Sequence, residues 1–534
     1  MRALLLAVAL LAVVPASASA AFEVRSFTVT PSGLQAGSHP DVAIGLGFAP
    51  WSAGNAPEHV RDLTLSLPPG LVGNPNATAR CAQAKFEADA CADNTRIGST
   101  SVKTTIPALG LVGLSVAAEG DVYNLSPGTD PARLGVVVRP PLGADKVFLV
   151  ARVALRPSDG GLNSIIAGIP SKVGLPALGQ QEMWIESMTL TLLGRPPGAS
   201  QPFMTMPTSC KPATATAAAT SAANTTVTRS APPFTPTACA KLPFKPSLQA
   251  TLSNGTLPAL RTVISGPPGT ANTASAAVVL PRALGVNVDA LQSICTGAQQ
   301  AAGQCPEPSR VGRAAARTPL LPPLAGPVYL AELPGQVLPG LRVFLSGTVS
   351  MSLAGTVDAL HSPLRTEFAG IPDVPLERFE LAFDAGHALR SRTDVCRGPL
   401  PRIAAVLTGH NGAVANLRVP VTVTGCAKPV ATVRVRGRKL VLRVNAVRGG
   451  PALTFARLTL PRKLKAHPGR GKVSKGRLTR RGVLTIRTAA VRHLTATLRS
   501  GAFTRRSRKG ALKFKLTTID ASRRRVHQTV KARR

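Results

Sequence analysis

The sequence predicts a mainly β protein with two tandem, disulfide-stapled β-sandwich-like units and a C-terminal immunoglobulin-like β-sandwich. Glycine and proline each occur 48 times in 534 residues. That frequency is too high for long helices and is typical of short strands joined by turns. Eight cysteines repeat one spacing pattern twice. Several segments also alternate apolar and polar residues with the period of a half-buried strand.

The first twenty residues, 1–20, have the features of a signal peptide. Met1 and Arg2 make a short positive start, residues 4–14 form an apolar run, and residues 18–20 read Ala-Ser-Ala, a small-residue cleavage signal. The run is shorter than the roughly 20 residues that a membrane-spanning helix needs. We therefore expect an extracellular protein, secreted or peripherally attached to the cell surface, without a transmembrane segment after cleavage. In an oxidising compartment an even cysteine count predicts disulfides.

The cysteines divide into two equivalent sets of four. Each set contains a close pair ten residues apart and a wider pair 29 or 30 residues apart: Cys81 and Cys91, Cys210 and Cys239, then Cys295 and Cys305, Cys396 and Cys426. Four cysteines allow three connectivities, among which the sequence does not choose. Because both spacings recur as blocks, pairing between neighbouring cysteines is favoured.

Aligning the two sets brings other residues into register. The matched residues are Asn74 with Asn287, 96–98 with 310–312, Tyr123 with Tyr329, and 167–170 with 369–372. Ordered matches of this kind predict an internal duplication. The first β-rich unit is expected at 21–244 and the second at 245–427.

Both units contain strand signals. Alternation and turn residues predict strands at 63–67, 146–155, 188–193, 341–353 and 379–383. Between Cys396 and Cys426 the sequence predicts a hairpin, outward along 403–407 and back along 414–423. The equivalent span, 211–238, is rich in Ala and Thr, which predicts a degenerate and mobile version of that hairpin. The two segments enclosed by the close cysteine pairs suit a helical turn or a compact loop.

Residues 428–534 form a third, cysteine-free module with an extreme charge. They contain 32 Lys or Arg residues and one acid, Asp520, out of a net charge of +38 for the chain. Strands are expected at 433–436, 439–444, 453–460, 483–487, 494–498 and 511–517. Several short strands at this spacing suggest an immunoglobulin-like sandwich. In 512–516 lysines alternate with apolar residues, which predicts a strand with a cationic outer face.

Basic runs in this module are candidates for binding polyanions. Their residues are Arg462, Lys463, Lys465, Arg505, Arg506, Arg508, Lys509, Arg523, Arg524 and Arg525. For an exported protein the expected partners are anionic cell-wall polymers or a phospholipid surface. Nucleic acid is possible but would bind without sequence specificity, because Phe455, Phe503 and Phe514 are expected in the core rather than stacked on bases. The alternative is a solvated basic surface without a dedicated ligand.

Catalytic and metal-binding motifs are scarce, so a non-enzyme without a cofactor is expected. Residues 469–473 approach a phosphate loop, but Val473 stands where Ser or Thr is needed. Glu87, Asp89, Asp93 and Asn94 could offer oxygen ligands to calcium, although a solvated loop is favoured. The histidines are scattered singly, among them His39, His59, His361, His387 and His410. At 4% aromatic residues, with Trp51 and Trp184 the only tryptophans, an aromatic sugar-binding platform is disfavoured.

Several of these residues together resemble a family of large secreted repeat proteins of high-GC actinobacteria. The similar segments are 67–75, the Cys81 and Cys91 block, 96–98, 122–125, 207–210 and 242–244. The resemblance covers about residues 22–427 and implies a secreted, β-rich protein. It supplies no catalytic residues.

The favoured hypothesis is a non-catalytic secreted or cell-surface structural or adhesive protein, retained at the anionic envelope by its basic module. The alternative is a soluble protein that binds a polyanion or another ligand, such as nucleic acid or a wall polymer. A secreted hydrolase is a third class that nothing in the sequence favours.

Overall fold

The computed structural model describes residues 22–108, 112–141, 143–176, 178–358, 363–397, 399–448, 450–505 and 511–533. The predicted signal peptide lies outside these residues. Strands account for nearly all regular structure in the described part of the chain, with two five-residue α-helices, so the predicted all-β class is confirmed. No helix among the described residues has the length and hydrophobicity needed to cross a bilayer.

The first unit is built on one eleven-stranded sheet. The elements of this unit are β1 (Val24–Pro31), β2 (Val42–Phe48), β3 (Val60–Ser66), β4 (Val72–Gly73), α1 (Gln83–Glu87), β5 (Arg96–Ala108), β6 (Val112–Leu125), β7 (Ala132–Arg139), β8 (Val147–Leu155), β9 (Leu162–Ile166), β10 (Lys172–Leu175), β11 (Gly179–Glu182), β12 (Trp184–Leu192), β13 (Met204–Thr205), β14 (Thr216–Ser221) and β15 (Thr226–Ser230). Strands β4 and β13 form one small accessory sheet, and β10 and β11 form another. Short 3₁₀ turns lie at Asp93–Thr95 and Cys239–Lys241.

The second unit is built on a twelve-stranded sheet. Its elements are β16 (Ser247–Ser253), β17 (Leu260–Ser265), β18 (Thr273–Val279), β19 (Leu284–Val286), α2 (Gly297–Ala301), β20 (Arg310–Arg317), β21 (Leu324–Ala331), β22 (Gly340–Leu345), β23 (Met351–Asp358), β24 (Arg365–Phe368), β25 (Arg378–Phe383), β26 (Leu389–Ser391), β27 (Arg402–Gly409), β28 (Val414–Pro420) and β29 (Thr422–Thr424). Short 3₁₀ turns lie at Val288–Gln292 and Glu307–Ser309.

The two large sheets have the same strand order. The first is β1-β2-β12-β5-β6-β7-β8-β9-β3-β14-β15, and the second, read from β16, is β16-β17-β25-β20-β21-β22-β23-β24-β18-β27-β28. Each strand of the first sheet therefore has a counterpart in the second at the same place in the chain and in the sheet. This is the topology that a duplication would leave, and the duplication itself remains our proposal.

Both sheets curl until their edges approach each other. In the second sheet β28 and β29 are the two outermost strands, yet only Val421 separates them in the chain. In the first sheet a side-chain nitrogen of Arg229 on β15 donates to the carbonyl of Val24 on β1. The inward faces of each curled sheet supply one apolar core, in which Leu63, Ile97 and Val122 of the first unit are fully buried.

Three expectations about individual strands were wrong. The span 211–238 is a hairpin, as predicted, but a regular rather than a degenerate one: β14 pairs with β15 and with β3, because its alternating alanines are small enough to pack inward. The predicted strand at 341–353 is two strands, β22 and β23, joined by a turn. The predicted return strand at 414–423 divides after Pro420, and its last residues cross to the opposite edge of the sheet as β29.

The structure confirms that neighbouring cysteines pair. Disulfides join Cys81 to Cys91, Cys210 to Cys239, Cys295 to Cys305, and Cys396 to Cys426. The close pairs staple the loops that contain α1 and α2, as expected for a helical turn. The wide pairs close the bases of the β14–β15 and β27–β28 hairpins.

Each stapled loop attaches to the outer face of its sheet in the same way. The amide of Cys81 donates to the carbonyl of Asn124, and that of Cys295 donates to the carbonyl of Leu330. In the first unit Phe86 of α1 is buried against Val137, and its ring meets Phe148 edge to face at 5.5 Å. The disulfide thus closes a loop that also has a small core of its own.

Loop length should rank the disulfides by their effect on stability. We expect double replacement of Cys396 and Cys426, or of Cys210 and Cys239, by alanine to lower the free energy of unfolding by about 3–4 kcal/mol, against about 2–3 kcal/mol for either ten-residue loop. The reason is that closing a longer loop removes more conformational entropy from the unfolded chain. Urea denaturation of the four double variants measures the ranking, and the reverse order would contradict it.

The third module is a two-layered sandwich. Its strands are β30 (Val430–Arg436), β31 (Lys439–Asn445), β32 (Leu453–Thr459), β33 (Leu464–Ala466), β34 (Arg477–Leu478), β35 (Val483–Val491), β36 (His493–Leu498), β37 (Phe503–Arg505), β38 (Lys513–Asp520) and β39 (Arg525–Arg533). All of these strands except β33 and β37 belong to one eight-stranded sheet, β34-β35-β32-β38-β39-β30-β31-β36. The sheet folds over, so that the three-stranded layer β30-β31-β36 faces the five-stranded layer β34-β35-β32-β38-β39, and the parallel pairing of β30 with β39 joins the two layers. Leu442 and Ala496 of the first layer belong to the same buried core as Leu458 and Phe514 of the second.

A buried carboxylate connects the first two units. Asp373 is 3% exposed and accepts four hydrogen bonds, from the amide and hydroxyl of Thr208 at 2.8 and 2.5 Å, the amide of Ser209 at 3.2 Å and the side-chain amide of Asn272 at 2.9 Å. Thr208 lies two residues before Cys210 of the first unit, whereas Asp373 and Asn272 belong to the second. The bonds therefore hold the two units against each other.

Candidate anion-binding surface

The five-stranded layer of the third module presents a face of basic side chains to solvent. Directly paired residues of antiparallel strands share a face of the sheet. Arg457 pairs with Thr485 and Thr517, Lys515 with Thr459 and Thr529, and Lys513 with Lys531. The basic residues of this outer face, which we call the cationic face, are Arg457, Arg477, Arg487, Lys513, Lys515, Arg525 and Lys531, all exposed.

The cationic face follows from alternation along the strands. In β38, Phe514 and Leu516 point into the core, so Lys513 and Lys515 point out, as the sequence predicted. Two residues along a strand are about 7 Å apart and neighbouring strands about 4.8 Å apart. The guanidinium of Arg457 lies 5.6 Å from the centre of the Phe455 ring, which orients it over the sheet. Phe455 is half-buried on this outer face rather than in the core, which corrects the sequence-based expectation.

The acid of this module does not neutralise the cationic face. Asp520 ends β38, and one of its carboxylate oxygens accepts the amides of Ser522 and Arg524 and the hydroxyl of Ser522. Asp520 therefore closes the turn between β38 and β39. Among the described residues of the five strands, the remaining polar side chains of the face are uncharged threonines and His527.

The structure brings two of the predicted basic runs together. Strand β33 pairs with β37, so Leu464 lies opposite Arg505. Arg462 and Lys465 are exposed and Lys463 is half-buried. The side chain of Arg505, and Arg506, Arg508 and Lys509, lie outside the described residues.

The third predicted run, Arg523 to Arg525, lies at one end of the five-stranded layer, opposite the end that leads to Arg462. Leu453 of β32 pairs with Asp520, and Thr459 pairs with Lys515. The chain after Thr459, which leads to Arg462, is therefore at the far end of the sheet from Arg523, Arg524 and Arg525. Arg524 donates to the carbonyl of Ala427 at the junction with the second unit. The cationic face connects the two ends.

Asp89, one of the residues considered for calcium, is used within the protein. Asp89 receives hydrogen bonds from Arg139 at 2.6 Å and from Lys146 at 2.8 Å. These bonds hold the α1 loop on the strands beneath it, and the hydrogen bond from Arg139 is the main reason that the pKa of Asp89 falls from 3.8 to about 2. Within the described residues, no three His, Cys, Asp or Glu side chains are grouped to hold a metal.

The Asp89 interaction predicts a pH dependence of stability. Because the pKa of Asp89 is lower in the folded chain, its stabilising effect is complete above about pH 4 and is lost as the pH falls toward 2. We expect Asp89→Asn to lower the free energy of unfolding by about 1–2 kcal/mol at pH 7, allowing for partial exposure, and to have little effect at pH 2. Urea midpoints at the two pH values measure this. Asp93→Asn, an exposed carboxylate on the same loop, is the matched control.

Three of the histidines considered as catalytic bases make structural contacts. His39, His59 and His410 each hydrogen-bond a backbone carbonyl, of Met204, Met183 and Ile371 respectively. His59 also stacks on Trp184 at 4.3 Å, and burial lowers the pKa of His39. His387 is exposed, and His361 lies outside the described residues. Tyr123 is buried, whereas Tyr329 is half-buried.

Comparison with known proteins leaves the chain without an identified relative. No family model matches it, and no curated protein matches it. Among solved structures, it is similar to a marsupial T cell receptor (9% identity, 94% of this chain, 99% of that chain, TM-score 0.14). It is also similar to the C-terminal domain of the Streptococcus agalactiae AgI/II polypeptide BspA (9% identity, 74% of this chain, 99% of that chain, TM-score 0.18). Similarities this weak carry no argument about function, and the resemblance to actinobacterial repeat proteins remains a prediction.

Proposed function

We propose that this chain is a non-catalytic extracellular structural or adhesive protein, held at an anionic cell envelope by its third module. The observation that carries the proposal is the cationic face, in which seven basic residues share the outer surface of the five-stranded layer. The third module, to which this layer belongs, contains a single acid. Such a face attracts a polymer with regularly spaced negative charges, through many weak contacts rather than one deep pocket. The partner class is an anionic wall polymer or a phospholipid surface.

The first two units fit the role of a body. Each is a curled sheet with its own apolar core and two disulfides, and the Asp373 hydrogen bonds connect them. Disulfides and continuous sheets keep a protein folded outside the cell, where it is exposed to proteases and changing pH. On this proposal the body extends from the envelope while the third module holds it there.

Sedimentation with purified cell walls tests the proposal. We expect the mature chain to pellet with walls at low salt and to be released at about 1 M NaCl, where the Debye length is about 3 Å. Long-chain inorganic polyphosphate added at low salt should compete for the same sites. Retention that is unchanged at high salt, or no retention at all, would overturn it.

A further inference from the structure

One hairpin is much longer in the first unit than in the second. Strands β5 and β6 have 13 and 14 residues, whereas their counterparts β20 and β21 have eight each. Both hairpins start from the same register, Arg96 opposite Tyr123 and Arg310 opposite Tyr329. The additional residues of the first unit therefore all lie at the far end of the hairpin.

A second insertion covers the same end. Between β9 and β12 the first unit contains the small hairpin β10–β11. The equivalent connection between β24 and β25, residues 369–377, is fully described and contains no strand. Two insertions in the first unit thus converge on one end of its curled sheet.

An apolar chamber of about 90 Å³ lies inside this end of the curled sheet, between the strands of the sheet and the inserted elements. Ile106, Leu114 and Val116 of the long hairpin line it, together with Val173 and Leu175 of β10 and Ala144 from the β7–β8 connection. No charged side chain lines it among the described residues. Its polar side chains include Thr100 and Thr104, whose hydroxyls donate to the carbonyls of Thr189 and Val116. With these hydroxyls already bonded, the chamber suits a hydrocarbon rather than a polar group.

Leu114 is exposed at the mouth of the chamber, and two further exposed apolar side chains lie on the same inserted elements. Leu114 is 53% exposed, and Val112, on the same face of β6, is 67% exposed. Leu178, in the turn between β10 and β11, is also 67% exposed. Exposed apolar residues beside an apolar cavity mark a binding site more often than isolated ones do.

We propose that the first unit binds one slim hydrocarbon chain. The end of the chain enters the chamber, which is smaller than the roughly 150 Å³ cavity known to hold a benzene molecule. The rest lies across Leu114 and Val112. The chain is contributed by a free fatty acid or by a lipid of the membrane. This proposal is independent of the cationic face, because the two sites are on different units.

Binding of cis-parinaric acid, a fluorescent fatty acid, to the full mature chain tests the proposal. Measurements at about 1 M NaCl suppress attraction of its carboxylate to the third module. We expect saturable fluorescence enhancement. Leu114→Asp at the mouth and Ala144→Phe in the lining should each weaken binding about tenfold or more, equivalent to losing contact with roughly two methylene groups. Val337→Asp, at a fully exposed valine of the second unit, is the matched control and should bind like the wild type.

Competition identifies the source of the chain. Displacement by unlabelled fatty acid alone identifies a free acid, whereas displacement by lysophosphatidylcholine identifies a lipid chain, and its neutral head group avoids the basic module. Either result supports the proposal. Absence of saturable enhancement would overturn it, as would wild-type binding by both Leu114→Asp and Ala144→Phe, once circular dichroism shows that they fold.

Discussion

Replacing Asp373 with alanine is expected to lower the free energy of unfolding by about 3–5 kcal/mol, the largest stability effect that we predict for a single substitution. The carboxylate is buried and accepts four hydrogen bonds. Without it, the amides of Thr208 and Ser209 and the side chain of Asn272 lose their acceptor at the junction between the units. Each unsatisfied buried donor costs about 1–3 kcal/mol.

Urea denaturation and limited proteolysis together measure this effect. We expect the midpoint to fall and cleavage near residues 207–211 to become faster, because the hydrogen bonds hold that segment against the second unit. Asp373→Asn, which keeps one acceptor oxygen, should lie between the wild type and alanine. Asp289→Ala is the control, since its exposed carboxylate has a single side-chain partner, Arg390, at 3.3 Å. Equal effects of Asp289→Ala and Asp373→Ala would contradict our account.

The sequence predicts the framework of this protein well, because disulfide spacing and alternation are local signals. The doubled cysteine pattern predicted the pairing of neighbouring cysteines. Alternation located β3, β8, β12 and β25, because a strand with one buried face must repeat every second residue. The basic third module was also recognisable, since its charge is concentrated in one stretch of the chain.

What the sequence does not show are contacts that depend on tertiary structure. Asp373 follows the matched segment 369–372, and the residue at its position in the first unit is Ser171. Nothing local indicates that Asp373 would be buried against Thr208, 165 residues away. In the same way, β28 and β29 look like one strand, because the closure of the sheet that separates them is a property of all its strands.

The candidate site illustrates the same limit. Runs of consecutive Arg and Lys attract notice in a sequence, and they are found in turns and at strand ends, as at Arg523 and Arg462. Isolated basic residues within strands, such as Arg457 and Lys531, form the cationic face only after strand pairing places them side by side. Of the seven residues of the cationic face, the sequence indicated three: the alternating pair Lys513 and Lys515, and Arg525 at the end of the last basic run.

The cationic face should account for most of the affinity of this protein for polyanions. We expect the fourfold variant Arg457→Gln, Lys513→Gln, Lys515→Gln, Lys531→Gln to bind long-chain inorganic polyphosphate roughly 10²–10⁴ times more weakly than the wild type at about 0.1 M salt. Each basic side chain that contacts a phosphate releases about one counterion. The slope of the logarithm of the binding constant against the logarithm of the salt concentration is therefore expected to be less negative by about four in this variant. Fluorescence anisotropy of labelled polyphosphate across a salt series measures both quantities.

A second fourfold variant separates the arrangement of charge from its amount. Arg434, Arg436, Lys439 and Arg443 are exposed on β30 and β31, the strands that continue the same eight-stranded sheet beyond β39 and lie outside the five-stranded layer. Replacing these four with glutamine removes the same net charge but leaves the cationic face intact, so the loss of affinity should be much smaller. If the two variants weaken binding equally, affinity follows the net charge of the module, and the cationic face is not the binding surface. A large difference between them would instead locate the polyanion on the five-stranded layer, where paired strands bring basic residues from distant parts of the chain side by side.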